Sequence, residues 1–275
     1  MSASDREDVI NTKIWSEVPS PDNPFSADTC YCAGYDVYGD LLGKASWAEY
    51  VYLLFMGEKP TPDAARLFEW IAVALANPGP RDHSVRAAMN GGVGGSLSAS
   101  CLMAALGPGA GGFGGGREMY LAMCNWARYG TDLEAWRQVT QPEAKSDLEV
   151  WPDIDHVPGF DPYGTTTTRA VQNALDKLTF SETFTHLQWL QLQREKLENI
   201  TGSPISLLGV TSAAFADLEF TAEQAEMLFL LLRLPGAAAH ALEQRHNGHK
   251  NYPFFRNGLK LTNTPVKQSP ADKAK

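Results

Sequence analysis

The sequence predicts an all-α fold. Three observations predict it: apolar residues recur at helical spacing in successive segments, two of those segments open with capping boxes, and period-two alternation of β-branched residues is almost absent. The 275 residues suffice for a substantial core, in one large domain or in a large domain with a smaller one attached. Hydrophobic residues at 44% and charged residues at 20% exclude global disorder and fibrous architectures.

The first 25 residues are polar and carry Pro19, Pro21 and Pro24, which predicts an extended arm. SWAEYVYLLFMG then reads as a helix: Ser46 and Glu49 form the capping box, and Gly57 and Pro60 close the apolar run. Residues 62–77 read as a second helix, with Ala65, Phe68, Ile71, Ala72 and Leu75 on one stripe before Asn-Pro-Gly-Pro. SLSASCLMAAL (96–106) is a small-residue segment suited to close helix packing, followed by the loop GPGAGGFGGG and a helix over 117–129. Beyond a proline-marked stretch at 141–164, three helices are expected. One begins near Thr168, one spans 181–198 with Phe184, Leu187, Leu190 and Leu197 inward, and one begins at Ser203 with Pro204 in its first turn. Thr221 and Gln224 form the second capping box, opening EQAEMLFLLLRL, a helix apolar on nearly every side and therefore expected to be buried all round, in part at a subunit interface.

A net charge of -9 argues against nucleic-acid partners, which demand clustered Lys and Arg. The N-terminus shows no basic region followed by an apolar one, and no uninterrupted apolar run reaches the roughly 18 residues needed to cross a membrane. The expected location is cytoplasmic, with no membrane partner. Cys30, Cys32, Cys101 and Cys124 are expected as reduced thiols, and no metal is expected, because no second Cys or His pair at ligand spacing accompanies Cys30 and Cys32.

Gly107, Gly109 and Gly112 satisfy GxGxxG, and Asp132 lies downstream as in a dinucleotide fingerprint. The segment before them reads as helix, however, and no βαβ unit surrounds them, so the loop is better read as a close helix-to-helix turn or as exposed N–H groups at a helix start.

Several segments in order carry a resemblance to citrate synthases and citryl-CoA lyase modules, over about residues 33–252. They are GYDVYGDLLGKASWAEYVYLLFMGEKPTP, ALANPG, GPGAGGFGGGRE, VPGFDPYGTTTTRA, ENITG and RLPGAAAHALEQR. The resemblance implies a homodimer of helical subunits, with a cleft for a di- or tricarboxylate beside a coenzyme A thioester as substrate and no permanently bound cofactor. It also implies a large helical domain over 26–150 and 215–260 and a small domain carrying cleft residues over 151–214, while composition sets off the arm over 1–25 and a disordered tail over 261–275 that has no core pattern.

At the positions of the family's two catalytic histidines and its aspartate stand Phe113 (or a neighbouring glycine), Asp161 (or Pro162) and Thr201, and Pro78 replaces a further histidine. A phenyl ring accepts no proton, and a threonine hydroxyl is far too weak a base at neutral pH. Arg169 and Arg233 match the family's carboxylate-gripping arginines, a task suited to guanidinium forks. The arginine contributed across the family's dimer is replaced by Asn251 or Tyr252, with Arg256 nearby in sequence.

Asp153, Asp155, His156, Asp161 and Tyr163 concentrate titratable groups in one loop, with His156 and Asp161 as a candidate substitute acid/base pair and a solvated acidic loop or oxygen-rich metal site as the other readings. His83 reads as a surface histidine at a helix start, with filling the space left by Pro78 as the alternative; His240 reads as a buried structural histidine, and the row Thr165 to Thr168 reads as a helix cap, with phosphate binding as the alternative. Two functions follow. One is an enzyme of altered acyl-transfer or citryl-CoA-lyase-like chemistry, making or breaking a C–C or C–S bond in an acyl-CoA. The other is a non-catalytic, carboxylate-binding or regulatory homodimer subunit.

Overall fold

Side-chain caps set the starts of most helices. In the computed structural model, which describes residues 11–140 and 156–253, Ser46 and Glu49 close the capping box of α1 (Trp47–Met56), and Gly57 ends that helix in the left-handed region. Thr61 caps α2 (Pro62–Leu75), Asp82 caps α3 (His83–Val93), and α4 (Ser98–Gly109) follows. Next come α5 (Gly116–Tyr129), the short α6 (Leu133–Trp136), α7 (Arg169–Leu178) capped by Thr168, and α8 (Thr185–Thr201). Ser206 caps α9 (Leu207–Asp217), and Thr221 with Gln224 forms the second capping box, on α10 (Ala222–Asn247). Helices dominate, as the periodicity predicts.

The N-terminal segment departs from that prediction. Trp15–Ser20 (β1), Asn23–Cys32 (β2) and Tyr35–Asp36 (β3) form an antiparallel sheet in the order β1-β2-β3, with register shifts on either side of Pro19. Edge strand β1 is exposed along nearly its whole length. With no buried face there is no reason for apolar and polar residues to alternate, so the sequence carries no period-two signal. Pro19 is tolerated because an edge strand has one unpaired side.

The main core joins α1, α2, α5, α7, α8, α9 and α10. Its fully buried members include Phe68, Ile71, Met119, Leu187, Leu190, Leu197, Phe215 and Leu228, each worth about 1.5–3 kcal/mol of apolar burial. This core takes residues from both sides of the boundary expected at 150/151. A smaller cluster of Val85, Ala88, Cys101, Ala105, Ala237 and Ala241 sits between α3, α4 and α10. α3 is not among the helices predicted from periodicity. Gly91 and Gly92 dilute its apolar face, yet its packing requires them, because a Cβ on Gly92 would strike the Ala241 backbone of α10.

One helix start differs in a way that shapes the site. The helix expected from Ser203 begins instead at Leu207. Pro204 and Ile205 remain extended because their backbone has tertiary partners: the Asp161 N–H donates to Pro204 O at 2.8 Å, Phe160 bridges Ile205, and the Ile205 N–H donates to Glu198 Oε1 at 3.1 Å. Gly209 follows close by, and a Cβ there would strike the Gly159 carbonyl. The start of α9 is thereby fastened to the 156–163 loop.

Candidate functional site

A cavity of about 360 Å³ opens where the ends of α2 and α3, the glycine turn before α5, the 156–163 loop, the start of α9 and the middle of α10 converge. Most of its wall is apolar, with Leu75, Phe113, Phe160, Leu207, Leu208 and Phe229 prominent. Its polar groups are His83, Glu118, His156, Asp161, Tyr163, Ser206 and Arg233.

Glu118 lies in the first turn of α5 and is 3% exposed. It accepts from the Gly114 N–H through Oε2 at 2.5 Å and from the Gly159 N–H through Oε1 at 3.0 Å. One N–H of the glycine turn before α5, that of Gly114, is thus turned toward a carboxylate of that helix. His156 Nε2 stands 3.2 Å from Glu118 Oε1, and both side chains are only 4% exposed. An ionised carboxylate only accepts, so Nε2 carries the hydrogen, and in the neutral imidazole Nδ1 is then the acceptor nitrogen. Nδ1 is buried and has no hydrogen-bond partner. Phe113 lies over the imidazole, with ring centroids 5.7 Å apart and planes 28° from parallel.

His156 therefore pairs with Glu118 rather than with Asp161. The Asp161 carboxylate accepts from the Tyr163 N–H at 3.0 Å and shapes the turn at 161–164, where a Cβ on Gly164 would crowd it. Both residues line the cavity, whereas Asp153 and Asp155 lie outside the described residues. Glu118 carries no motif of its own in the sequence. Its signal is positional: an acid in the third helical position after a glycine cap, where a carboxylate reaches back to the preceding turn.

Arg233 projects from α10 into this region, 6% exposed. Its Nη2 donates to Asp82 Oδ2, its Nη1 donates to Gly114 O at 2.9 Å, and its guanidinium lies 4.6 Å from the Phe229 ring centroid. Burial lowers its pKa from the ordinary arginine value, while Asp82 opposes that shift. Arg169 is placed elsewhere: it opens α7, is exposed, and is not among the residues lining the cavity. The two expected carboxylate grips are not brought together there.

Thr201 does not line the cavity either, and its hydroxyl is engaged with Glu198 O at 3.3 Å and Ser203 O at 3.1 Å. Phe113, Asp161, Pro78 and His83 do line it. His240 Nε2 sits 3.2 Å from Asn77 Oδ1, and the side chain keeps 20% exposure rather than full burial. Thr168 caps α7 and Thr167 contacts Glu198, so two of the four threonines are structural. Arg256 lies outside the described residues. Among the described residues, no group of three or more His, Cys, Asp or Glu is placed to hold a metal ion.

No protein-family model and no curated protein matches the sequence. Solved structures do match it. A citryl-CoA lyase from Hydrogenobacter thermophilus superposes with a TM-score of 0.72 over 97% of this chain and 100% of its own, at 19% identity. This chain has the fold of citryl-CoA lyase. An ATP citrate lyase from Methanothrix soehngenii, in complex with citrate and coenzyme A, matches with a TM-score of 0.71 over 95% of this chain at 18% identity. A Methanosaeta concilii ATP citrate lyase variant, in complex with (3S)-citryl-CoA, gives 0.71 over 98% at 18% identity. This chain spans 43% of the length of each of these two enzymes. The citryl-CoA-lyase-like, all-α architecture expected from the order of the motifs is thus observed, with the small N-terminal sheet added.

Proposed function

We propose that this citryl-CoA-lyase-like chain binds the acyl end of a thioester in the cavity beside Phe113 and uses His156 as a proton acceptor, to make or break a bond next to the thioester. The observation that carries the proposal is the buried, unpartnered Nδ1 of His156, with Nε2–H directed at Glu118. A base needs a lone pair that is not already bonded and a partner that stabilises the cation it becomes. Here the ligand's proton passes to Nδ1, the electron pair stays on the ligand, and the Glu118 carboxylate offsets the imidazolium charge. The ligands of the structural neighbours, citrate, coenzyme A and citryl-CoA, support a thioester-bearing substrate.

A panel of acyl-CoA esters with oxo acids, assayed for free thiol and for new product, tests the reading. Turnover that falls at least about 100-fold in His156→Gln supports it, that being the usual minimum for a lost general base. Turnover indifferent to His156 overturns it.

A second reading, a non-catalytic carboxylate-binding subunit, is favoured by one observation: Phe113 and Thr201 stand where the resemblance expects proton-transfer groups. Under it, citrate or another polycarboxylate raises the melting temperature through Arg169 or Arg233, with no turnover. Either reading is proposed for a homodimer. Exposed Met227, Leu231 and Leu242 share one face of α10, and Met103 of α4 is also exposed, an apolar surface suited to an isologous partner.

A further inference from the structure

The charges around the cavity set what it accepts. Among the described residues lining it, Arg233 is the sole Lys or Arg, and its guanidinium is already held by Asp82 and by the Gly114 carbonyl. Glu118 and Asp161 add two further carboxylates to the lining. With both histidines neutral, Arg233, Asp82, Glu118 and Asp161 sum to +1 - 3 = -2, and protonating His83 and His156 together brings the sum only to zero. Among the described residues, a carboxylate entering this space would meet no unmatched cation, and it would leave water for a wall built mainly of Leu75, Phe113, Phe160, Leu207, Leu208 and Phe229. Charge burial without a partner is strongly unfavourable, whereas a methyl or methylene group gains from the same wall.

We infer that the cavity selects an uncharged, apolar acyl group, and that the Asp82–Arg233 pair excludes acyl groups ending in a second carboxylate. The inference rests on the thioester-binding reading above and specifies its substrate class. Asp82 acts here through Arg233, as a specificity-determining residue rather than one that touches ligand. Phe113 covers the opposite side: it is 47% exposed, so its ring is available both to the His156 face and to an entering acyl chain.

Butyryl-CoA and succinyl-CoA are the probes, since both carry four-carbon acyl chains that end in a methyl and a carboxylate, respectively. Calorimetric titration of the full-length chain, with coenzyme A alone as reference, is expected to give at least about tenfold tighter binding of butyryl-CoA. Phe113→Ala is expected to reduce that preference, and Asp82→Asn to reverse it by freeing Arg233. Because Asp82→Asn disturbs a buried ion pair and can unfold the chain, the wild-type preference and the Phe113→Ala result stand as independent tests. Equal or tighter binding of succinyl-CoA by the wild type overturns the inference while leaving a His156-dependent thioester reaction intact. Preference for butyryl-CoA without any His156-dependent turnover supports the inference and removes the catalytic step instead. Binding of neither ester more tightly than coenzyme A overturns both.

Discussion

Glu118 and His156 meet across 38 positions of chain, with Nε2 3.2 Å from Oε1 and both side chains nearly sealed from solvent. The same carboxylate also holds the N–H groups of Gly114 and Gly159, so it joins the glycine turn, the first turn of α5 and the 156–163 loop. Removing it strands two backbone donors and a histidine. Glu118→Ala is expected to destabilise the fold by about 2–4 kcal/mol, and Glu118→Gln, which keeps one acceptor oxygen but turns an NH2 toward the other backbone N–H, by somewhat less. Urea denaturation of the two variants checks this, and equal losses would contradict the hydrogen-bond account.

The two arginines should respond to truncation by very different amounts. Arg169 is exposed at a helix start, so Arg169→Ala is expected to change stability by less than about 0.5 kcal/mol. Arg233→Ala leaves Asp82 and the Gly114 carbonyl without their partner and removes a ring contact, for an expected loss of about 3 kcal/mol or more. Thermal melts of both variants at matched concentration decide it, and a similar small shift for each would mean that the Asp82 pair contributes little.

Gly209 is where α9 touches the site loop. Gly209→Ala places a methyl group against the Gly159 carbonyl and the Ile205 side chain. The expected result is a loss of about 1–3 kcal/mol, accompanied by weaker ligand binding, because the 156–163 loop must shift with it. Should the variant melt like the wild type, α9 and the loop are not packed as closely as described.

Assembly has its own test. Light scattering at micromolar concentration is expected to give about twice the 30.0 kDa chain mass. Replacing Met227 and Leu231, both exposed on one face of α10, with glutamate is expected to halve that mass without unfolding the subunit. A wild-type monomer would remove the dimer from the proposal.

The thiols of one strand should also separate. Burial pushes the Cys32 thiol up, with the Tyr50 hydrogen bond pulling the other way, and Cys32 is fully buried while Cys30 is half-buried. A raised pKa means less thiolate at a given pH, so alkylation at pH 8 is expected to label Cys30 well before Cys32. Mass spectrometry of a time course reads the order directly, and simultaneous labelling would mean that β2 opens readily.

What the sequence determined by itself is local and periodic. The capping boxes at Ser46 and Thr221, the buried stripe of Phe184, Leu187, Leu190 and Leu197, and the cap at Thr168 each follow from residues within a few positions of one another, because helix hydrogen bonding and facing are set over such spans. The order of the motifs carried the citryl-CoA-lyase-like fold and pointed to Phe113, Asp161 and Arg233, which line one cavity, and to Arg169 and Thr201, which do not; His156, which also lines it, was marked by the titratable loop around it. Only the tertiary structure decided how these residues are partnered. The partner of His156 is Glu118, and that of Arg233 is Asp82, 151 positions away, a separation over which no pattern in the chain specifies a hydrogen bond. The extended course of Pro204 and Ile205 was hidden for the same reason, being fixed by backbone groups that find donors and acceptors on other elements. The pairing of β1 with β2 is local, and it left no period-two signal because β1 has no buried face.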